Sequence, residues 1–112
     1  MKNILVVDNH PMLLKFMADL LAGQGHRVVT AQDGISALEV LEEFRADIVF
    51  LDLVMPHISG KQLCRVIRSM PALVNSVVVI LSAVAAEENI DCRSLGADGC
   101  IAKGPFDKLA AH

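Results

Sequence analysis

Five polar residues of this chain stand at the ends of short apolar runs. Asp8 and Asn9 follow ILVV, Asp52 follows IVFL, Ser82 follows VVVIL and Lys103 follows CIA. Their chemistry is restricted. Two carboxylates and an amide oxygen suit a hard cation such as Mg²⁺, which takes oxygen ligands and keeps several waters. A carboxylate is also a nucleophile toward phosphorus and can form an aspartyl phosphate. Such attack needs charge on the phosphoryl oxygens to be neutralised, which a metal ion and a lysine can do. A hydroxyl at Ser82 can hydrogen-bond a phosphoryl oxygen once it is attached. The histidines, His10, His26, His57 and His112, are expected away from the strand ends, so no Ser-His-Asp arrangement competes. Nor is there a phosphate loop of the GxxxxGKS/T type.

A single Asp or Ser after a strand is most often a turn residue or a helix cap. Asp33 fits that role. Acid after two runs, hydroxyl after a third and lysine after a fourth is a joint pattern that points to one site.

Elements that bring these residues together can be read from periodicity. Lys2 to Val7, Val28 to Thr30, Asp47 to Leu51, Val77 to Leu81 and Gly99 to Ala102 read as five strands. Pro11 suits a helix start. Met12, Leu13, Phe16, Met17, Leu20 and Leu21 then recur at helical spacing until GQG ends the pattern. A second helix starts at Asp33-Gly34, with Ile35, Leu38 and Leu41 as its expected buried stripe. Ser59 and Gln62 have capping-box spacing and open a third helix buried through Leu63, Val66 and Ile67. Residues 85 to 95 are weakly helical, anchored by Ile90 and Leu95, and Phe106 to His112 begins a last, short helix.

Alternating strands and helices with short connections imply an α/β fold. The expected architecture is a doubly wound five-stranded parallel sheet, order 2-1-3-4-5, with helices on both faces. In such a sheet all strand C-termini share one edge, where ligands bind. Asp8, Asn9, Asp52, Ser82 and Lys103 should meet there, with Asp52 just past the edge and open to solvent.

The 112 residues fit a single domain, 1–112. Apolar residues make up 54 % and charged residues 21 %, which excludes a disordered chain. The net charge of −3, without a basic block, argues against direct nucleic-acid binding. No apolar run approaches the ~18 residues of a membrane helix, and Asp8 interrupts the start too early for a signal peptide. A cytoplasmic location without membrane contact is expected. Cys64, Cys92 and Cys100 form no CxxC pair and read as free, mostly buried thiols.

The segments VVDNH, VFLDLVMPHISG, VVVILSA, GADGCIAKGPF and DGISALE resemble the receiver domain of two-component response regulators, over essentially the whole chain. The D-x-x-M-P-x-x-x-G pattern running from Asp52 through Met55, Pro56 and Gly60 is the most specific element. The resemblance implies a phosphoacceptor module. Asp52 takes a phosphoryl group from a histidine kinase or phosphotransfer protein, and Ser82 and Lys103 contact that group. Asp8, Asn9, Asp52 and the main-chain carbonyl of Val54 hold Mg²⁺. The phosphoryl group switches the face built from the fourth helix, fifth strand and fifth helix. Turnover chemistry beyond taking and slowly hydrolysing its own phosphate is not expected. Partners would include an output domain in a longer chain, or a second copy of the domain.

The sequence departs from the family at four places. Asn9 replaces a second acid, which implies weaker Mg²⁺ binding. Cys100 occupies a usually aromatic position, where the simplest role is to fill a compact core site. Gly104 separates Lys103 from Pro105, so a cis bond could fall at Gly104-Pro105. The chain stops soon after Phe106, either trimmed or continuing into another domain. Val54 and Val84, two residues past Asp52 and Ser82, should disfavour an ordered attacking water and lengthen the phosphoryl lifetime. The alternative function is a pseudo-receiver, a phosphorylation-independent interaction domain marked by Asn9 and Cys100. A phosphatase of the haloacid-dehalogenase type is disfavoured, because VVDNH lacks its D-x-D.

Overall fold

The four innermost hydrophobic residues of the first strand, Ile4 to Val7, are each at most 1 % exposed. Such a strand needs cover on both faces. A computed structural model of the chain describes residues 1–55, 57–82 and 93–102 and supplies that cover. Strand β1 (Asn3–Val7) lies between β2 (Arg27–Ala31) and β3 (Ile48–Asp52), with β4 (Val77–Ser82) and then β5 (Gly99–Ala102) beyond β3. The sheet is five-stranded with order β2-β1-β3-β4-β5, and every pairing is parallel, as the sequence implies. Helices α1 (Pro11–Gly23), α2 (Gly34–Leu41) and α3 (Gly60–Ser69) occupy the connections, and a 3₁₀ turn, Pro71–Leu73, leads into β4.

Side-chain alternation divides the core in two. Ile4 and Val6 pack with Leu13, Leu14 and Met17 of α1 on one face. Leu5, Val7, Val49 and Leu51 pack with Ala37 and Leu41 of α2 and with Leu63 and Ile67 of α3 on the other. The helix stripes differ in detail from expectation. In α1, Met12 and Leu20 are exposed, and Leu14 is buried instead. In α2, Ile35 is 50 % exposed, and the buried positions are Gly34, Ala37 and Leu41. A small residue at position 37 lets the helix lie close to the sheet, so Leu38 flanks the contact rather than centring it. In α3, Cys64 takes the buried place expected for Val66. Residues 93–96 form a turn rather than the end of a helix, and the rest of that expected helix, like the last one, lies outside the described residues.

The cysteines match expectation at Cys64 and depart from it at Cys100. Cys64 is free and buried, and burial raises its thiol pKa. Cys100 is exposed on the edge strand and disulfide-bonded, rather than a free thiol filling the core. An edge strand has a neighbour on one side only, so its side chains are covered less completely; Ile101 beside it is 40 % exposed.

Register is fixed at the amino end of the sheet. Asp47 accepts from the Asn3 N–H at 2.8 Å, its own N–H donates to the Asn3 carbonyl, and its carbonyl accepts from Val77. A second fastening runs through Arg68 near the end of α3. Its guanidinium donates to the carbonyls of Gly96 and Ser76, each at 2.7 Å, and to Asp98. Asp98 in turn accepts from the Val78 N–H at 2.8 Å. One side chain thereby joins α3 to the approaches of both β4 and β5.

Removing these bonds in Arg68→Ala should cost about 2 kcal/mol or more, the scale of hydrogen bonds to a charged group, read as a lower urea midpoint at unchanged slope. The Val78 N–H, and then Arg68, hold the Asp98 carboxyl below the usual carboxylate range. Its ionised form is therefore favoured by the fold. That contribution is complete above the unfolded-state pKa near ~4 and is lost as pH falls through the lower folded value. As pH falls below about 4, the parent should lose stability more steeply than Asp98→Asn.

Candidate functional site

Val7 of β1 pairs with Leu51 of β3, so the next residues, Asp8 and Asp52, leave adjacent strands side by side at the carboxyl edge of the sheet. Both carboxylates are buried, Asp8 completely and Asp52 to within 5 %. The expectation of a solvent-open Asp52 is therefore corrected. Asp52 is the last residue of β3, in register with Leu81, and the Leu53 N–H extends the ladder to the Leu81 carbonyl. Sheet pairing continues through the acidic position and carries its side chain into the protein.

Local hydrogen bonds set both carboxylates. Asp8 Oδ1 accepts from the His10 N–H at 2.9 Å, an Asx turn, while the Asp8 N–H reaches the Ala31 carbonyl. Asp52 Oδ1 faces the Val54 N–H at 3.4 Å. Asn9 is exposed beside Asp8, and Val54 lies at the rim with 73 % exposure. Met55 turns inward, and His57 adopts a left-handed backbone, φ 68°, before α3 begins.

The start of α3 closes the loop after Asp52. The expected capping box is present. The Ser59 hydroxyl accepts from the Gln62 N–H, and the Gln62 side-chain oxygen accepts from the Ser59 N–H. Gly60 donates its N–H to the Leu53 carbonyl. A Cβ at position 60 would lie 2.7 Å from Leu53 Cα and would meet the Asp52 carbonyl oxygen more closely still. Only glycine lets the helix rest directly on the backbone of the acidic residue.

Ser82 ends β4 and pairs with Ala102, the last residue of β5. The structure thus brings Asp8, Asn9, Asp52, Val54 and the backbone of Ser82 to one edge. Lys103 follows Ala102 in the chain and lies outside the described residues, as do Pro56, Val84 and the Gly104-Pro105 bond. His10 was missed in the sequence: its ring Nδ1 is 3.5 Å from Asp8 Oδ1, closer to the strand end than expected of any histidine. The readable signal was D-x-H, the spacing of an Asx turn that folds the third residue back onto the first. Among the described residues no three His, Cys, Asp or Glu side chains form a metal cluster. The oxygen donors at this edge are two carboxylates and one amide, with main-chain carbonyls nearby. That small hard set matches a cation that keeps waters rather than one caged by protein.

A family model described as the response regulator receiver domain matches residues 4–111. The chain belongs to the response-regulator receiver family. The receiver is 40 % identical over 100 residues to the sensor histidine kinase RcsC of Salmonella typhimurium, covering 89 % of this chain and 10 % of that protein. It is 35 % identical over 108 residues to the DNA-binding response regulator MtrA of Mycolicibacterium smegmatis, covering 94 % of this chain and 45 % of that one. It thus spans a tenth to under half of these curated relatives. Among solved structures, the response regulator TrrA of Thermotoga maritima in complex with Mg²⁺-BeF superposes with TM-score 0.80 at 32 % identity, over 99 % of this chain and 95 % of that one. The chemotaxis regulator CheY4 of Vibrio cholerae matches the fold with TM-score 0.85 at 23 % identity, over 99 % and 97 % of the two chains. The receiver is a module of two-component signalling systems. No helix among its described residues is long and apolar enough to cross a membrane.

Gly60→Ala should lower stability by about 1–3 kcal/mol, the usual cost of overpacking, read by thermal unfolding. Amide NMR shifts should change most at Asp52 and Leu53, because the new methyl presses on their backbone.

Proposed function

We propose that this receiver accepts a phosphoryl group on Asp52 and uses it to change its surface around β5. The observation that carries this reading is the pair of buried carboxylates, Asp8 and Asp52, leaving adjacent parallel strands at the ligand edge of the sheet. Two neighbouring anions out of water are unfavourable unless a cation or hydrogen-bond donors offset them. Asp8, Asn9, Asp52 and the Val54 carbonyl are the groups that would hold Mg²⁺, and the donor set fits it. When bound, the cation would neutralise charge on the phosphoryl oxygens.

A carboxylate oxygen of Asp52 forms the new bond to phosphorus, while the bond from phosphorus to the donor breaks. The donor is a phosphohistidine of a kinase or phosphotransfer protein, and its imidazole leaves. Lys103 supplies a positive charge to the transferred group, and the Ser82 hydroxyl donates a hydrogen bond to it. The added charge of roughly −1.5 to −2 favours whichever conformation pairs it best, so the output is a population shift. The domain acts as a signalling module rather than a turnover enzyme, with slow loss of its own phosphate. Residues 1–112 make up one receiver unit, and the larger relatives support its working beside other domains.

Incubation with acetyl phosphate and Mg²⁺ should add one phosphoryl group to the parent and none to Asp52→Asn, read by intact mass. An unmodified parent at saturating donor would favour the pseudo-receiver role instead. In a Mg²⁺ titration of the same reaction, Asn9→Asp should move the midpoint about tenfold lower, because a second carboxylate replaces a neutral amide near the cation. An unchanged midpoint would remove Asn9 from the metal site.

A further inference from the structure

Strand β5 closes one edge of the sheet, with β4 as its neighbour. Its amino end is fastened by hydrogen bonds. The Asp98 N–H reaches the Val78 carbonyl at 2.8 Å, the Asp98 carboxylate accepts from the Val78 N–H, and Arg68 holds the Gly96 carbonyl. Ala97, between these two fastenings, is buried. Cys100 is the second residue of the strand, in register with Ile80. It is tied covalently, by a disulfide bond, and yet it is exposed. An exposed disulfide can be reached by an attacking thiolate and is of the labile kind, whereas enclosed ones resist reduction. Cys64 is the opposite case. It is free and fully buried, and burial raises its thiol pKa, so little of it is the reactive thiolate.

We propose that Cys100 is a reversible thiol–disulfide site, by which the redox balance around the receiver sets how firmly β5 is held. The chain has three cysteines. With Cys64 free, Cys92 is the sulfur that remains in the chain to pair with Cys100. The oxidant is a low-molecular-weight disulfide such as glutathione disulfide. Starting from two thiols, the Cys100 thiolate attacks one sulfur of that disulfide. A mixed disulfide forms and one glutathione thiolate leaves. The Cys92 thiolate then attacks the Cys100 sulfur, the bond within the chain forms, and the second glutathione thiolate leaves. The two protein thiols are oxidised, glutathione disulfide is reduced, and the two thiol protons pass to the departing thiolates. Excess glutathione drives the same steps backwards. Opening the bond leaves the fastenings at Gly96 and Asp98 in place, because neither involves sulfur. The effect is therefore local to β5 and leaves the rest of the sheet folded. It requires nothing of Asp52 and stands apart from phosphoryl transfer.

The test equilibrates the full chain in buffers of reduced and oxidised glutathione, traps native thiols with a maleimide and reads intact mass. The parent should pass from two labels in the most reducing buffer to none in the most oxidising, without a glutathione adduct at either end. Cys64→Ser should titrate like the parent. Cys100→Ser and Cys92→Ser should each keep one reactive thiol, which carries a glutathione adduct when oxidised. On reduction of the parent, hydrogen exchange at the β5 amides should speed up about tenfold or more, the scale of opening a short covalent loop. Exchange in β1 should stay unchanged. Thermal melts check that each variant is folded, which the exposure of Cys100 favours. The proposal is overturned if the bond never forms, or if it persists in the most reducing buffer. It is also overturned if Cys64→Ser abolishes the transition, or if β5 exchanges alike in both redox states. A disulfide-linked dimer on a non-reducing gel would overturn it too, since the bond would then join two copies.

Discussion

The parallel pairing of β1 with β3 is the constraint on which the rest of the molecule depends. Each residue of β1 between Ile4 and Val7 points into one of two cores, so a shift of one position would exchange every buried side chain between faces. The two-residue period therefore locks the register, and Asp47 against Asn3 ties it at the amino end. The arrangement at the carboxyl end is then geometrically forced. Asp8 and Asp52 emerge next to one another because nothing in the strands before them can slip.

Forcing two acids together in a buried place is useful only if the backbone around them holds still. The segment after Asp52 is held from three directions. The ladder continues through Leu53 to β4, the capping box sets the first turn of α3, and Gly60 lies against the acidic residue's own carbonyl. On the other side, the Asx turn of Asp8 brings His10 back over the carboxylate. Pre-set geometry of this kind suits the phosphoacceptor role proposed for Asp52, which would then need no reorganisation of its surroundings.

Much of this was legible in the residues themselves. Strand order, parallel pairing and the shared edge came from apolar runs of strand length separated by helical spacing. The capping box was readable because Ser59 and Gln62 satisfy backbone groups locally. Features set by tertiary distance were not readable. Spacing could not tell whether Ala37 or Leu38 would face the sheet, because that depends on how closely α2 approaches it. Burial of Asp52 was not readable because the ladder's extension through Leu53 depends on β4, a strand far along the chain. The half-cystine at Cys100 also depends on three-dimensional proximity. Nothing in the spacing singles out Arg68, although it joins α3 to the approaches of two strands.

Helix α3 is fastened at both ends to different parts of the sheet. Gly60 presses its first turn on the backbone of Asp52, and Arg68 grips the leads into β4 and β5 near its last. Ten residues of helix form a stiff rod roughly 15 Å long. A rod pinned at two points sets a fixed spacing between them. The separation of the acidic strand end from the leads into β4 and β5 is thereby held by one helix as well as by the strands that run between them.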